Sequence, residues 1–288
     1  MNVIFKTATD FRRSLEARLK TISIRTGEDL QRLRRRVAFD RFLARVFSVE
    51  ESGFCLKGGY AMELRLAEAR TTKDIDLTCL RRIKDEKELL AELILQDLQN
   101  LARIDLQDHF VYQIGRVQMD LENAPYGGAR YPVLSLVDGR LFVRFQLDIG
   151  ADIITDKIEN IKGADWLEFC GVSSPIIPMI SMPQQFAEKL HAYTLPRDNR
   201  FNSRVKDLVD LMLLLKMKKQ SPEAFYQALQ RVFKTRNTHS LPERLNPPPF
   251  EWESPFSAMA KECSLSKNMQ ESFKEIEHFY QKIINLNK

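Results

Sequence analysis

Two stretches decide how this sequence folds: Leu56–Lys57–Gly58–Gly59 and Asp74–Ile75–Asp76–Leu77, with fourteen residues between Gly59 and Asp74. The second alternates polar and apolar residues, the pattern of a half-buried strand. On a strand, residues i and i+2 point to one face, so Asp74 and Asp76 project together. Two adjacent carboxylates repel each other unless a cation neutralises them. Mg²⁺, or Mn²⁺, suits such a pair, because it takes hard oxygen ligands and shares its shell with phosphates. The first stretch closes a short apolar run, Phe54–Cys55–Leu56, and precedes helical character over Ala61 to Leu66. Glycines at 58 and 59 put no Cβ between the backbone and a ligand. A helix beginning there directs its N–H groups at a triphosphate.

Outward from this centre, residues 9 to 47 read as two helices broken at Thr26–Gly27–Glu28–Asp29, and residues 84 to 103 as a strongly amphipathic one. Phe110 to Ile114, Tyr131 to Val137 and Leu141 to Ile149 read as strands, with Asp138–Gly139 a hairpin turn between the last two. Ser173 to Pro183 carries three prolines and reads as a loop or crossover. Helices follow at about 183–195, 203–218, 222–235 and 267–286. Asn246–Pro247–Pro248–Pro249 is expected to begin a C-terminal appendage. The fold class is α+β: a mixed-sheet domain over residues 1–174 with basic N-terminal helices, and a helical domain over 175–288. A cleft completed by the helical domain is the expected substrate site.

A two-ion reaction needs a third carboxylate. Asp148, in Phe145–Gln146–Leu147–Asp148–Ile149, is polar inside an apolar run, which is costly without a partner. Asp120 and Asp152 are substitutes. The apolar fraction of 44% supports a packed core rather than disorder. No apolar run reaches eighteen residues and no secretory signal is evident, so a cytoplasmic protein without membrane contact is expected. Cys55, Cys79, Cys170 and Cys263 form no CxxC pair, against a zinc site or disulfide framework. Net charge is only +5, but eleven Lys or Arg lie between Arg12 and Arg45. Such a face can attract a polyanion, or can be a solvated helix surface.

The segments Leu56–Lys57–Gly58–Gly59–Tyr60–Ala61 and Arg70–Thr71–Thr72–Lys73–Asp74–Ile75–Asp76–Leu77 resemble the AbiEii nucleotidyltransferase toxins, of the polymerase-β-like nucleotidyltransferase superfamily. A second block, Glu188–Lys189–Leu190–His191 and Arg204–Val205–Lys206–Asp207–Leu208–Val209–Asp210, is similar to that family's Lys-containing helix and its later Arg-x-Lys-Asp-x-x-Asp helix. The likeness covers roughly residues 50 to 216; Tyr60 stands where the family usually has a small hydroxyl residue. It implies metal binding by Asp74 and Asp76 and a triphosphate contact by Lys189. Asp207 becomes a further active-site acid, a base or an orienting partner, with Asp210 one turn on as its rival. Arg204 and Lys206 would neutralise phosphate or pair with those acids, and Lys57, Gly58, Gly59 and Tyr60 would line the nucleotide. The resemblance further implies a type IV toxin–antitoxin or antiviral-defence pair, an antitoxin encoded nearby, and transfer of a nucleotide from an NTP to the 3′ end of tRNA. Nucleotidylation of a protein and a non-catalytic nucleotide- or RNA-binding regulator are the alternatives. Taken from the residues alone, Lys189 reads as a solvated lysine on an amphipathic helix.

Overall fold

The computed structural model describes residues 5–66, 69–80, 87–120, 128–150, 154, 156–196, 204–217 and 221–285, with the backbone alone at 87–90 and 119–120. Its elements run α1 (Ala8–Thr26), α2 (Leu30–Val46), β1 (Phe54–Lys57), α3 (Gly58–Arg65), β2 (Asp74–Cys79) and α4 (Lys87–Ala102). Then come β3 (Phe110–Ile114), β4 (Met119–Asp120), β5 (Gly128–Val137), β6 (Arg140–Gly150), β7 (Glu159–Lys162) and β8 (Ile176–Met179). Helices α5 (Met182–Thr194), α6 (Val205–Met217), α7 (Pro222–Arg236), α8 (Glu253–Glu262) and α9 (Met269–Asn285) complete the order. The expected α+β class with a mixed sheet is what the chain adopts. It divides into two compact units: Met1–Tyr60, Thr71–Asp152 and Asn160–Met179 form the first, and Ala61–Arg70, Ile153–Glu159 and Ile180–Lys288 the second.

The first unit is built on a sheet in the order β3-β5-β6-β2-β1-β8-β7, with β4 paired to β5. β2 runs antiparallel to β1 and parallel to β6, so the strand of Asp74 and Asp76 is central. The β5–β6 hairpin turns at Asp138 and Gly139, both at positive φ (56° and 64°), as a two-residue type I′ turn requires. A register shift at Ser135/Leu136 then displaces the pairing by one residue. Helices end where the sequence supplies the chemistry: Gly27 takes the left-handed conformation after α1, and Asp29 accepts from the Arg32 amide (2.8 Å) to start α2.

Helix α2 is buried from Val37 to Val46, including Asp40, Arg41 and Arg45. Charges so placed need partners. Asp108 provides one, accepting from Arg41 Nε (2.7 Å) and from both terminal nitrogens of Arg45 (2.9 and 2.6 Å). Asp40 accepts from the Tyr60 hydroxyl (2.5 Å) and the Ala164 amide (3.0 Å). Burial outweighs these bonds and pushes its carboxyl up to about 6.

The second unit packs α5–α9 around one apolar cluster that includes Phe186, Leu208, Leu211, Phe225, Trp252, Phe256, Ile276 and Tyr280. This corrects the expected appendage after Asn246. The prolines break the backbone, but α8 and α9 return large apolar side chains to the same core. The loop expected over Ser173 to Pro183 is also corrected. It contains β8, paired in parallel with β1 through Leu56 and Met179, and Ser181 then caps α5 by accepting from the Gln184 amide. Pro183 lies in the first turn of α5, where its missing N–H is not needed.

Candidate active site

Asp74 and Asp76 lie two residues apart on β2, each partly accessible, with Ile75 between them buried on the other face. Asp76 lies opposite Lys57 of β1 and Asp148 of β6. The Thr72 hydroxyl donates to Asp74 Oδ1 (2.6 Å), and the Gly59 amide reaches Asp76 Oδ2 at 3.3 Å. The two glycines therefore serve a close approach, but to the chain's own side chains. A Cβ on Gly58, whose φ is +69°, would fall 1.9 Å from Asp76 Oδ2. On Gly59 it would fall 2.6 Å from Thr72 Oγ1. Any larger residue would displace the carboxylate or the hydroxyl that orients its neighbour.

Asp148 is buried (8% exposed) and held by Arg130 of β5: Nε donates to Oδ1 at 2.7 Å and Nη2 to Oδ2 at 2.6 Å. Hydrogen bonding to Asp148 raises the Arg130 pKa further, with smaller contributions from Asp74 and Asp76. Arg130 was not a candidate from the sequence. Counting back from the hairpin turn without a bulge places Ala129 opposite Asp148, whereas the register shift brings Arg130 there. Asp120 pairs in β4 with Ala129, and Asp152 lies outside the described residues.

In the second unit, Lys189 of α5 reaches Asp207 (3.1 Å) and Asp210 (2.7 Å) of α6. Arg70 grips Asp210 through Nε (2.9 Å) and Nη2 (3.0 Å), and Arg204 lies 3.4 Å from Asp207. Asp207 and Asp210 are almost wholly buried. Burial works against the Lys189 ammonium, but the two aspartates overcome it and raise its pKa. Burial likewise raises Asp210, while Lys189 and Arg70 lower it further, so it stays ionised. Lys189 is thus held as a charged ammonium with Asp210 as an ionised partner. Lys206 points away from this face and is exposed. Tyr60, expected at the nucleotide, is 1% exposed, and its ring packs on Phe39 (centroids 5.0 Å apart), so its side chain offers no face to a ligand. A cavity of about 1300 Å³ in the first unit, lined by Arg41, His109 and Tyr112 among others, includes none of these residues.

Residues 41–280 match the family described as nucleotidyl transferase AbiEii toxin, type IV toxin–antitoxin system. The chain belongs to this AbiEii family. It is a nucleotidyltransferase of toxin type, for which an NTP is the substrate and an antitoxin the partner. Among solved structures it is similar to the nucleotidyltransferase toxin MenT4 (Rv2826c) of Mycobacterium tuberculosis H37Rv, at TM-score 0.54 and 13% identity, over 94% of this chain and 97% of that one. JHP933 from Helicobacter pylori is similar at TM-score 0.51 and 15% identity, over 90% and 94%. A further solved structure from the same organism matches at TM-score 0.50 and 16% identity, over 90% and 97%. At such identities the likeness is one of fold. No curated protein matches the sequence.

AbiEii membership implies a divalent ion, and the donor chemistry can be tested. Asp74 and Asp76 offer hard oxygens on one face of a strand and fit Mg²⁺. Asp148 offers no oxygen that Arg130 has not engaged. Among the described residues, no group of three or more His, Cys, Asp or Glu is arranged around a common metal position.

The basic N-terminal stretch also reads differently in three dimensions. Arg12 donates to the Val137, Arg140 and Leu141 carbonyls, Arg34 pairs with Glu16, and Arg32 and Arg36 pair with Glu28. With Arg41 and Arg45 buried on Asp108, most of these cations hold the unit together. Arg13, Arg18, Lys20 and Arg25 of α1 remain exposed. Among the described residues no helix is long and apolar enough to cross a membrane.

Proposed function

We propose that this AbiEii chain transfers a nucleoside monophosphate from an NTP to the 3′ end of tRNA in a Mg²⁺-dependent reaction, in the cytoplasm, as the toxin of an antiviral-defence pair. The observation that carries the reading is the Asp74–Asp76 pair on a central strand, with the Gly58–Gly59 backbone pressed against Asp76. Asp74 and Asp76 hold the ion, and Thr72 and the Gly59 amide fix the direction of their oxygens. A bound Mg²⁺ would supply positive charge to the phosphates of the NTP and so favour departure of pyrophosphate. The family resemblance assigns Lys189 to nucleotide binding, and Asp207 and Asp210 hold its ammonium in one direction. Arg204 shares that assignment. The acceptor hydroxyl attacks the α-phosphate, the bond to pyrophosphate breaks and the hydroxyl proton passes to solvent; catalysis is chiefly positioning and charge neutralisation. The exposed cations of α1 supply phosphate contacts for the RNA.

The test is incubation with Mg²⁺, each α-³²P-labelled NTP in turn and total tRNA, beside Asp76→Ala. Label on tRNA from the wild type alone supports the reading and names the nucleotide. Label on protein in added lysate, with none on tRNA, replaces the acceptor. No label anywhere removes the catalytic reading in favour of a binding module.

A further inference from the structure

We infer that Arg130 is a built-in cation of the carboxylate cluster, holding Asp148 in place of a second metal ion, so that the site takes one divalent ion rather than two. The inference rests on the metal role proposed for Asp74 and Asp76. Asp148 stands beside Asp76 on the neighbouring parallel strand, the place where a third metal ligand is expected. Both of its oxygens are instead engaged by one guanidinium, at 2.7 and 2.6 Å. A planar fork matches a carboxylate in a way that a point charge does not, so the contact is specific as well as strong.

The backbone enforces this contact. The register shift between Ser135 and Leu136 is what sets Arg130 across from Asp148, and the antiparallel ladder holds both residues there. The Asp148 side chain is 11% exposed and that of Arg130 31%. An ion arriving at Asp148 would therefore have to compete with the guanidinium for the two oxygens that it already engages.

Arg130 on this account is a positioning residue: it fixes Asp148 and sets the number of ions. Binding of Mn²⁺ alone to the protein, counted by the paramagnetic resonance of the free ion, tests it without any turnover. The wild type should bind one ion at the cluster and Arg130→Gln two. Asp148→Asn should still bind one ion, since Asp148 is not a ligand; this variant keeps the test alive if Arg130→Gln fails to fold. Two ions on the wild type, one on folded Arg130→Gln, or loss of the ion in Asp148→Asn would each overturn the inference. Asp76→Asn separates it from the underlying reading. If that variant retains the wild-type ion, or if the wild type binds none, the metal role of Asp74 and Asp76 falls and the inference with it.

Discussion

Asp76 of the first unit and Asp210 of the second are aspartates in opposite electrostatic settings. Asp76 is partly open and lies between Lys57 and Asp148 on the neighbouring strands, with Arg130 holding Asp148. Asp210 is 0% exposed, with Lys189 and Arg70 closing on its two oxygens. The first cluster leaves Asp74 and Asp76 partly accessible to an ion from outside. The second is neutralised from within, so it holds shape and presents Lys189 as a fixed charge. An acid pair in a sequence thus says little until its counter-charges are known. Removing Asp76 should cost chemistry and spare the fold, whereas removing Asp210 should cost the fold.

The sharpest way to break this contrast is Asp76→Asn. It should lower nucleotidyl transfer by more than about 10³-fold, the scale of losing a principal electrostatic contact in a transition state. Its melting temperature should stay at or above that of the wild type, because one member of a repelling pair is gone. Next comes Asp210→Ala, which removes the buried carboxylate that both Lys189 and Arg70 engage. We expect a loss of about 3–5 kcal/mol by chemical denaturation. Stability equal to wild type would show that the second cluster is not closed as described.

Gly58→Ala sharpens the first half of the comparison. A left-handed φ and a Cβ aimed at Asp76 should together cost about 1–3 kcal/mol. The carboxylate must shift, so the Mg²⁺ concentration for half-maximal activity should rise. If neither changes, the close approach has no consequence for the ion.

The smallest effect concerns Asp40, a buried acid whose hydrogen-bond donors among the described residues are the Tyr60 hydroxyl and the Ala164 amide. Its carboxyl is raised to about 6. The folded state therefore keeps this proton up to about pH 6, whereas the unfolded chain loses it near the ordinary value of about 4. Asp40 thus favours the folded state at low pH, and that contribution is lost as pH rises from about 4 to about 6. Asp40→Asn should gain a few degrees in melting temperature relative to wild type across this window, and no more above it. A difference that is flat with pH would contradict the burial argument.

Much of this was legible in the sequence because local chemistry dictated it. Asp-Ile-Asp gave the strand and its shared face, Asp138–Gly139 the hairpin, and Gly27 and Asp29 the helix boundary. What was hidden depends on register and on distant partners. Arg130 meets Asp148 only because of one extra residue in a ladder. Arg70 meets Asp210 across 140 positions of sequence. β8 was masked by its prolines, since Ser173 to Pro183 has the composition of a loop but Ile176–Met179 pairs with β1. The basic run between Arg12 and Arg45 looked like a polyanion face because its partners, Val137, Leu141 and Asp108, are far along the chain.

The most direct test of the central claim is Mg²⁺-dependent pyrophosphate release from NTP and tRNA by purified Asp76→Asn, measured beside wild type on samples verified to be equally folded. The account predicts release by the wild type and background alone by the variant. Equal release from both would contradict it, and would place the chemistry on residues other than the Asp74–Asp76 pair.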